Sequence, residues 1–210
     1  MRIIETKAYQ FSELNEEAKQ KAIENHYDIN VDYDWWEFSS PYDEMESVGI
    51  EAQGNKFYFD IDRGSYISFE GRIGLDSLIL AMDAIPAEKY KDFASDMHPF
   101  LDYCKTEVDK IRPLLKKLIL AGTITVYAKI GHGNRSESIW SDCEYYGHDP
   151  KNIEEFTDYW MNELESILKM YAEIHLSRLS GSYEYLTSEE AIIESIEANE
   201  YEFTEDGKRI

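Results

Sequence analysis

Hydrophobic and polar positions along the chain change period several times. Residues 2–9 alternate weakly, are rich in Ile and Thr, and predict a first strand. Leu14, Ala18, Ala22 and Ile23 then form a narrow apolar stripe, predicting a helix to about Tyr27. Ser12 or Asn15 can cap it, and Glu16 and Glu17 suit its positive end. A second helical piece carries Tyr33, Trp35, Trp36 and Phe38; Pro41 interrupts it, another turn or two follows to Val48, and Gly49 is the stop. Over residues 50–73 the period becomes two. Phe57, Phe59 and Ile61 alternate with Tyr58, Asp60 and Asp62, Asp62-Arg63-Gly64-Ser65 reads as a turn, and residues 66–70 return as the second strand of a hairpin.

Leu75 to Ile85 reads as a short helix ended by Pro86. Residues 87–121 are helical by composition, broken at His98-Pro99 and kinked or restarted at Pro113. Residues 123–130 are the clearest strand, with apolar residues at 124, 126, 128 and 130, and residues 137–146 return as its partner after the loop Gly131-His132-Gly133-Asn134-Arg135. From Ile153 onward the helical period returns through Trp160, Leu164, Leu168, Tyr171, His175 and Leu179. It predicts one helix of about 28 residues stopped by Gly181. Thr187 or Ser188 caps a final helix, Tyr201-Glu202-Phe203 is a last short strand, and Glu205-Asp206-Gly207 is a turn.

Strands scattered between helices, two of them hairpins, predict an α+β fold. Its sheet is mostly antiparallel and packed against several helices, including one long helix near 153–180. We expect one domain over 1–210, with sub-structure at 1–73 (helix plus hairpin), 74–122 (helical) and 123–210 (hairpin plus long helices).

Charge changes what this fold can be for. The 210 residues include 43 acids and only 21 Lys and Arg, a formal net charge of −22. Binding DNA or RNA through phosphates needs clustered cations, so direct nucleic-acid contact is not expected, nor is an anionic membrane surface. Disordered acidic chains are poor in aromatics, whereas 16 Tyr, 9 Phe and 4 Trp supply a core. Cys104 and Cys143 sit in no metal-ligand or disulfide spacing and read as packing residues. The start of the chain lacks the apolar core of a signal peptide, and the apolar run near 114–121 is broken by Lys116 and Lys117. A reducing cytoplasm is the expected location. The charge is also uneven: residues 1–70 carry net −10, residues 71–135 net +2, and residues 136–210 net −14.

Candidate chemistry is sparse. Asp60-x-Asp62 places two carboxylates on one face of a strand beside Arg63, with Glu70 nearby, and such a set can hold Mg²⁺ or Ca²⁺; the same spacing is also the polar face of a half-exposed strand. His132 lies in a Gly-rich loop that suits either acid–base chemistry or a tight turn. No phosphate-binding, dinucleotide, nucleophile-elbow or zinc-helix motif occurs, so neither a catalytic residue nor a cofactor is expected. Tyr33-Asp34-Trp35-Trp36-Glu37 is either core packing against the first hairpin or an aromatic anchor ringed by acids, the composition of an interface hot spot. Rows of carboxylates recur on the last helices, at Glu154, Glu155 and Asp158 and again at Glu190, Glu194 and Glu197. They make a solvated face that keeps the chain in solution, or a surface that meets a basic partner.

The segments Tyr9-Gln10-Phe11-Ser12-Glu13-Leu14-Asn15-Glu16-Glu17-Ala18-Lys19-Gln20-Lys21-Ala22, Tyr33-Asp34-Trp35-Trp36-Glu37 and Phe59-Asp60-Ile61-Asp62-Arg63-Gly64-Ser65-Tyr66 resemble a family of small, mostly uncharacterised phage and prophage proteins. So do Tyr185-Leu186-Thr187-Ser188-Glu189-Glu190-Ala191 and Glu202-Phe203-Thr204-Glu205-Asp206-Gly207 near the other end. Some members are labelled antitoxin-like. The resemblance implies a phage or mobile-element context and transfers no catalytic residue. Three functions are therefore expected in order. The first is a non-enzymatic acidic inhibitor of a nucleic-acid-handling bacterial defence protein (anti-CRISPR or anti-restriction in type), mimicking nucleic-acid charge. The second is an antitoxin-like partner of a basic toxin. The third is a metal-dependent enzyme using Asp60, Asp62 and Glu70.

Overall fold

In the computed structural model, residues 7–31, 35–36, 41–52, 58–61, 66–68, 70–130, 139–147 and 153–210 are described. They fall into two compact units, one formed by residues 1–38 with 179–210 and the other by residues 39–178.

The smaller unit closes the two ends of the chain on each other. Strand β1 (Tyr9–Gln10) pairs antiparallel with β8 (Glu202–Phe203), Tyr9 opposite Phe203 and Gln10 opposite Glu202. A 3-10 turn (Phe11–Glu13) leads into α1 (Glu16–Glu24), and Asn15 caps that helix by accepting the Ala18 N–H at 2.9 Å. Helix α6 (Glu189–Ala198) begins the same way, with Ser188 accepting the Ala191 N–H at 3.3 Å. Each cap satisfies an N–H that has no partner within its helix, worth about 1 kcal/mol. The apolar stripe of α1 (Ala18, Ala22, Ile23) meets Ile192 and Ile196 of α6, with Phe11, Leu14 and Phe203 completing the core. His26 belongs to this core: its Nδ1 donates to the Ala22 carbonyl at 2.7 Å, and its ring lies edge-on to Phe203. The turn after β8 needs Gly207, whose φ is +81°; a Cβ there would lie 2.2 Å from the Ala18 carbonyl oxygen.

The larger unit is built on a four-stranded antiparallel sheet. Its strands, in spatial order, are β2 (Ile50–Ala52), β5 (Gly71–Gly74), β6 (Gly122–Ile130) and β7 (Ile139–Gly147). The β6–β7 hairpin is the one expected from alternation. The first hairpin also forms, as a separate pair of β3 (Tyr58–Asp60) and β4 (Tyr66–Ser68). Strands β2 and β5 were not expected. Both are short, and Gly71 and Gly74 at the ends of β5 read locally as turn signals.

Helix α2 (Tyr42–Ser47) precedes β2, and Gly49 at φ +85° ends it as expected. Helix α3 (Leu75–Ala84) follows β5. The stretch expected to be helical from residue 87 begins instead as two 3-10 turns (Ala87–Asp92 and Ser95–Met97) before α4 (His98–Ala121). Pro99 sits in the first turn of α4, where its missing N–H costs nothing, and the helix continues through Pro113. Met45, Val48, Ile50, Ile73, Leu78 and Phe100 are among the fully buried core residues.

Helix α5 runs from Ile153 to Leu186, 34 residues, and passes straight through Gly181. This corrects the expected stop. A glycine ends a helix by adopting positive φ, and Gly181 does not. The helix ends instead where Ser188 turns extended to cap α6. The architecture is α+β, with small antiparallel sheets and one long helix, as the sequence pattern predicts.

Candidate interaction surface

Glu190, Glu194 and Glu197 recur at four- and three-residue spacing on α6 and are all exposed, while Ala191, Ile192 and Ile196 on the opposite face are buried. The same segregation holds on α1, where Glu16, Glu17 and Glu24 are exposed. Lys19 pairs with Glu16 at 3.1 Å and Lys21 with Glu17 at 3.0 Å. Arg209 lies 3.4 Å over the Tyr201 ring. Among the described residues no ion pair engages Glu190, Glu194 or Glu197.

The fold also redistributes the charge. By position the acids concentrate in residues 1–70 and 136–210, and the smaller unit joins the outermost part of each, residues 1–38 and 179–210. It holds 18 acids and 6 bases, net −12, over 70 residues; the larger unit holds 25 acids and 15 bases, net −10, over 140. Charge density is therefore more than doubled in the smaller unit. Such self-repulsion lowers stability and is tolerated on a solvated face.

Trp35 and Trp36 belong to this acidic unit and are both half-buried. Their rings meet edge to face at 6.2 Å and 88°, and Trp35 also lies 6.2 Å from Tyr183 at the end of α5. Tyr33, Asp34 and Glu37 of the same cluster lie outside the described residues. Tyr27 and Tyr185, each about half exposed at 50% and 54%, add aromatic surface to this unit.

Glu154, Glu155 and Asp158 are exposed on the first turns of α5, in the larger unit. There they favour the positive end of the helix dipole, a structural role in itself. They and the α6 row thus stand in different units.

The weak metal set does not gather in what is described. Asp60 is half-buried opposite Tyr66 at the end of β3, Glu70 is exposed, and Asp62 lies outside the described residues. Among the described residues no group of three or more His, Cys, Asp or Glu could hold a metal ion. The His132 loop also lies outside them. Cys104 is fully buried in α4, and burial pushes its thiol far up from its ordinary value; Cys143 is half-buried. His175 is buried and stacks on Tyr171 at 12°.

Two polar arrangements escaped the sequence reading. Tyr103 of α4 donates to Glu163 of α5 at 2.5 Å, and Tyr159 of α5 donates to Glu107 of α4 at 2.7 Å. Each helix contributes a Tyr and a Glu four residues apart, and because the helices run antiparallel each Tyr meets the other helix's Glu. Burial opposes ionisation of Glu107, but Lys110 and Tyr159 outweigh it and hold the carboxyl below its ordinary range. The bond to Glu107, with burial, pushes Tyr159 up to about 12. The second arrangement centres on Arg178. Its guanidinium bonds Asp96 through Nε and Nη2 at 2.6 Å each and Glu44 through Nη1 at 2.9 Å, holding Asp96 below its usual range. Beside it, an open cleft of about 340 Å³ is lined by Pro99, Phe100, Met170, Ile174, Asp96, Glu173 and Ser177.

No protein-family model, curated protein or solved structure matches this chain. Among the described residues no helix is long and apolar enough to cross a membrane.

Proposed function

We propose that this chain is a phage-encoded, non-enzymatic acidic protein of the bacterial cytoplasm that binds and inhibits a basic, nucleic-acid-handling defence protein. Carboxylates on the smaller unit take the place of phosphates in a Lys- and Arg-lined channel. The observation that carries this reading is the joining of two acidic chain ends into one unit of net −12, with Glu190, Glu194 and Glu197 exposed along one helix face. The half-buried Trp35 and Trp36 in the same unit supply an aromatic anchor of the kind that carries binding energy at interfaces. The phage or mobile-element context is part of this proposal. Opposite charges on the two partners would raise the association rate by orders of magnitude at low salt.

The test is capture from bacterial lysate at low ionic strength. A basic nucleic-acid-handling protein that is retained by the chain and released by added DNA supports the proposal. Retention of no such protein contradicts it.

A further inference from the structure

The cleft beside Arg178 is the strongest feature of the larger unit that the acidic surface does not use. Its floor is apolar: Phe100 is fully buried, and Met170 and Ile174 are half-buried side by side on α5. Its rim is acidic. Asp96 lines the cleft and shares the single guanidinium of Arg178 with Glu44, so the one cation there is already doubly engaged. Glu173 stands on the rim, exposed, with no ion pair among the described residues; Lys169, one turn earlier on α5, is exposed and does not pair with it. An apolar floor under an unpaired carboxylate suits one side-chain chemistry, an aliphatic stem that ends in a cation. The cleft is open and lies at the small end of the range for ligand sites, the size for a side chain rather than a whole metabolite.

We propose that this cleft receives an Arg or Lys side chain of the protein partner. The stem lies along Met170 and Ile174, above the buried Phe100, and the charged head meets Glu173 beside the Ser177 hydroxyl. This rests on the reading of the chain as a binder of a basic protein and names a contact point outside the acidic unit.

The experiment uses the full chain with n-butylguanidinium as the probe and n-butylurea as its uncharged counterpart, followed by methyl NMR at Met170 and Ile174. The expected result is saturable shifts at both methyls with n-butylguanidinium, affinity about threefold weaker in Glu173→Gln, and no saturation with n-butylurea. Equal binding of the two probes, or an affinity unchanged in Glu173→Gln, overturns the proposal. A captured DNA-releasable partner without n-butylguanidinium binding defeats the cleft assignment alone. A cleft that binds the probe while lysate yields no basic partner defeats the reading on which it rests.

Discussion

Tyr103 on α4 donates to Glu163 on α5, and four residues along each helix the roles reverse, with Tyr159 donating to Glu107. The paired spacing matches one register of the two antiparallel helices, since both hydroxyls reach their carboxylates in the same alignment. Tyr159→Phe strands half of this arrangement at the buried Glu107 and should cost about 1–2 kcal/mol, measured by urea unfolding. A double-mutant cycle of Tyr103→Phe with Glu163→Gln should give a favourable coupling, and an additive result would show that the bond contributes nothing.

The same carboxylate makes stability depend on pH. Glu107 is held below its ordinary range when folded, and an unfolded Glu titrates near about 4.3. The folded state therefore prefers the ionised form. Its stabilisation is complete above the unfolded value and is lost as pH falls through the lower, folded one. Asp96, lowered by Arg178, adds to the same acid limb. Thermal melts should show Tm falling below about pH 4, and Glu107→Gln should flatten that fall while lowering Tm at neutral pH.

The glycines of this chain divide by geometry. At Gly207 a side chain would meet the Ala18 carbonyl in a backbone conformation that L residues rarely adopt. Gly207→Ala should destabilise the smaller unit by about 2 kcal/mol or more, seen as a lowered melting transition. At Gly181 an added Cβ meets nothing within 4 Å, in a helical backbone. Gly181→Ala should therefore stabilise by about 0.5–1 kcal/mol and raise Tm. A loss of stability there would contradict the unbroken α5.

Strand β7 pairs on one side only among the described residues, which leaves nine residues of edge. Asp142 answers part of that exposure: its carboxylate accepts the Cys143 N–H at 2.8 Å and places a negative charge at the edge. Asp142→Val removes both effects. Sedimentation velocity should show it self-associating at concentrations where the parent chain does not, and an unchanged distribution would show that the edge is guarded by other means.

How much of this was legible beforehand follows from how local each feature is. Asn15 and Ser188 cap helices through residues three positions away, and the apolar stripe of α5 repeats within its own turns, so pattern alone finds them. Strand β5 could not be read this way. It exists because Ile73 finds Ile50 on one side and Ala128 on the other, while its own glycines signal a turn. Gly181 misled for the opposite reason: the residue type suggests a stop, but positive φ is what ends a helix. The acids of α6 were legible as a row. Their grouping with the acids of α1 was not, because it depends on β1 finding β8 across the whole length of the chain. The reciprocal Tyr–Glu pairs were likewise hidden, since nothing in either helix announces the other's register.

The central claim is that the charge of the smaller unit serves binding rather than solubility alone. The direct measurement compares the parent chain with the triple variant Glu190→Lys, Glu194→Lys, Glu197→Lys in DNA-competed capture of the basic partner at low salt, with far-UV circular dichroism to check folding. All three positions are exposed, so the fold should be retained. The account predicts loss of capture in the triple variant, while Glu154→Lys, Glu155→Lys, Asp158→Lys in the larger unit retains more of it. Undiminished capture by a folded α6 triple variant would contradict it.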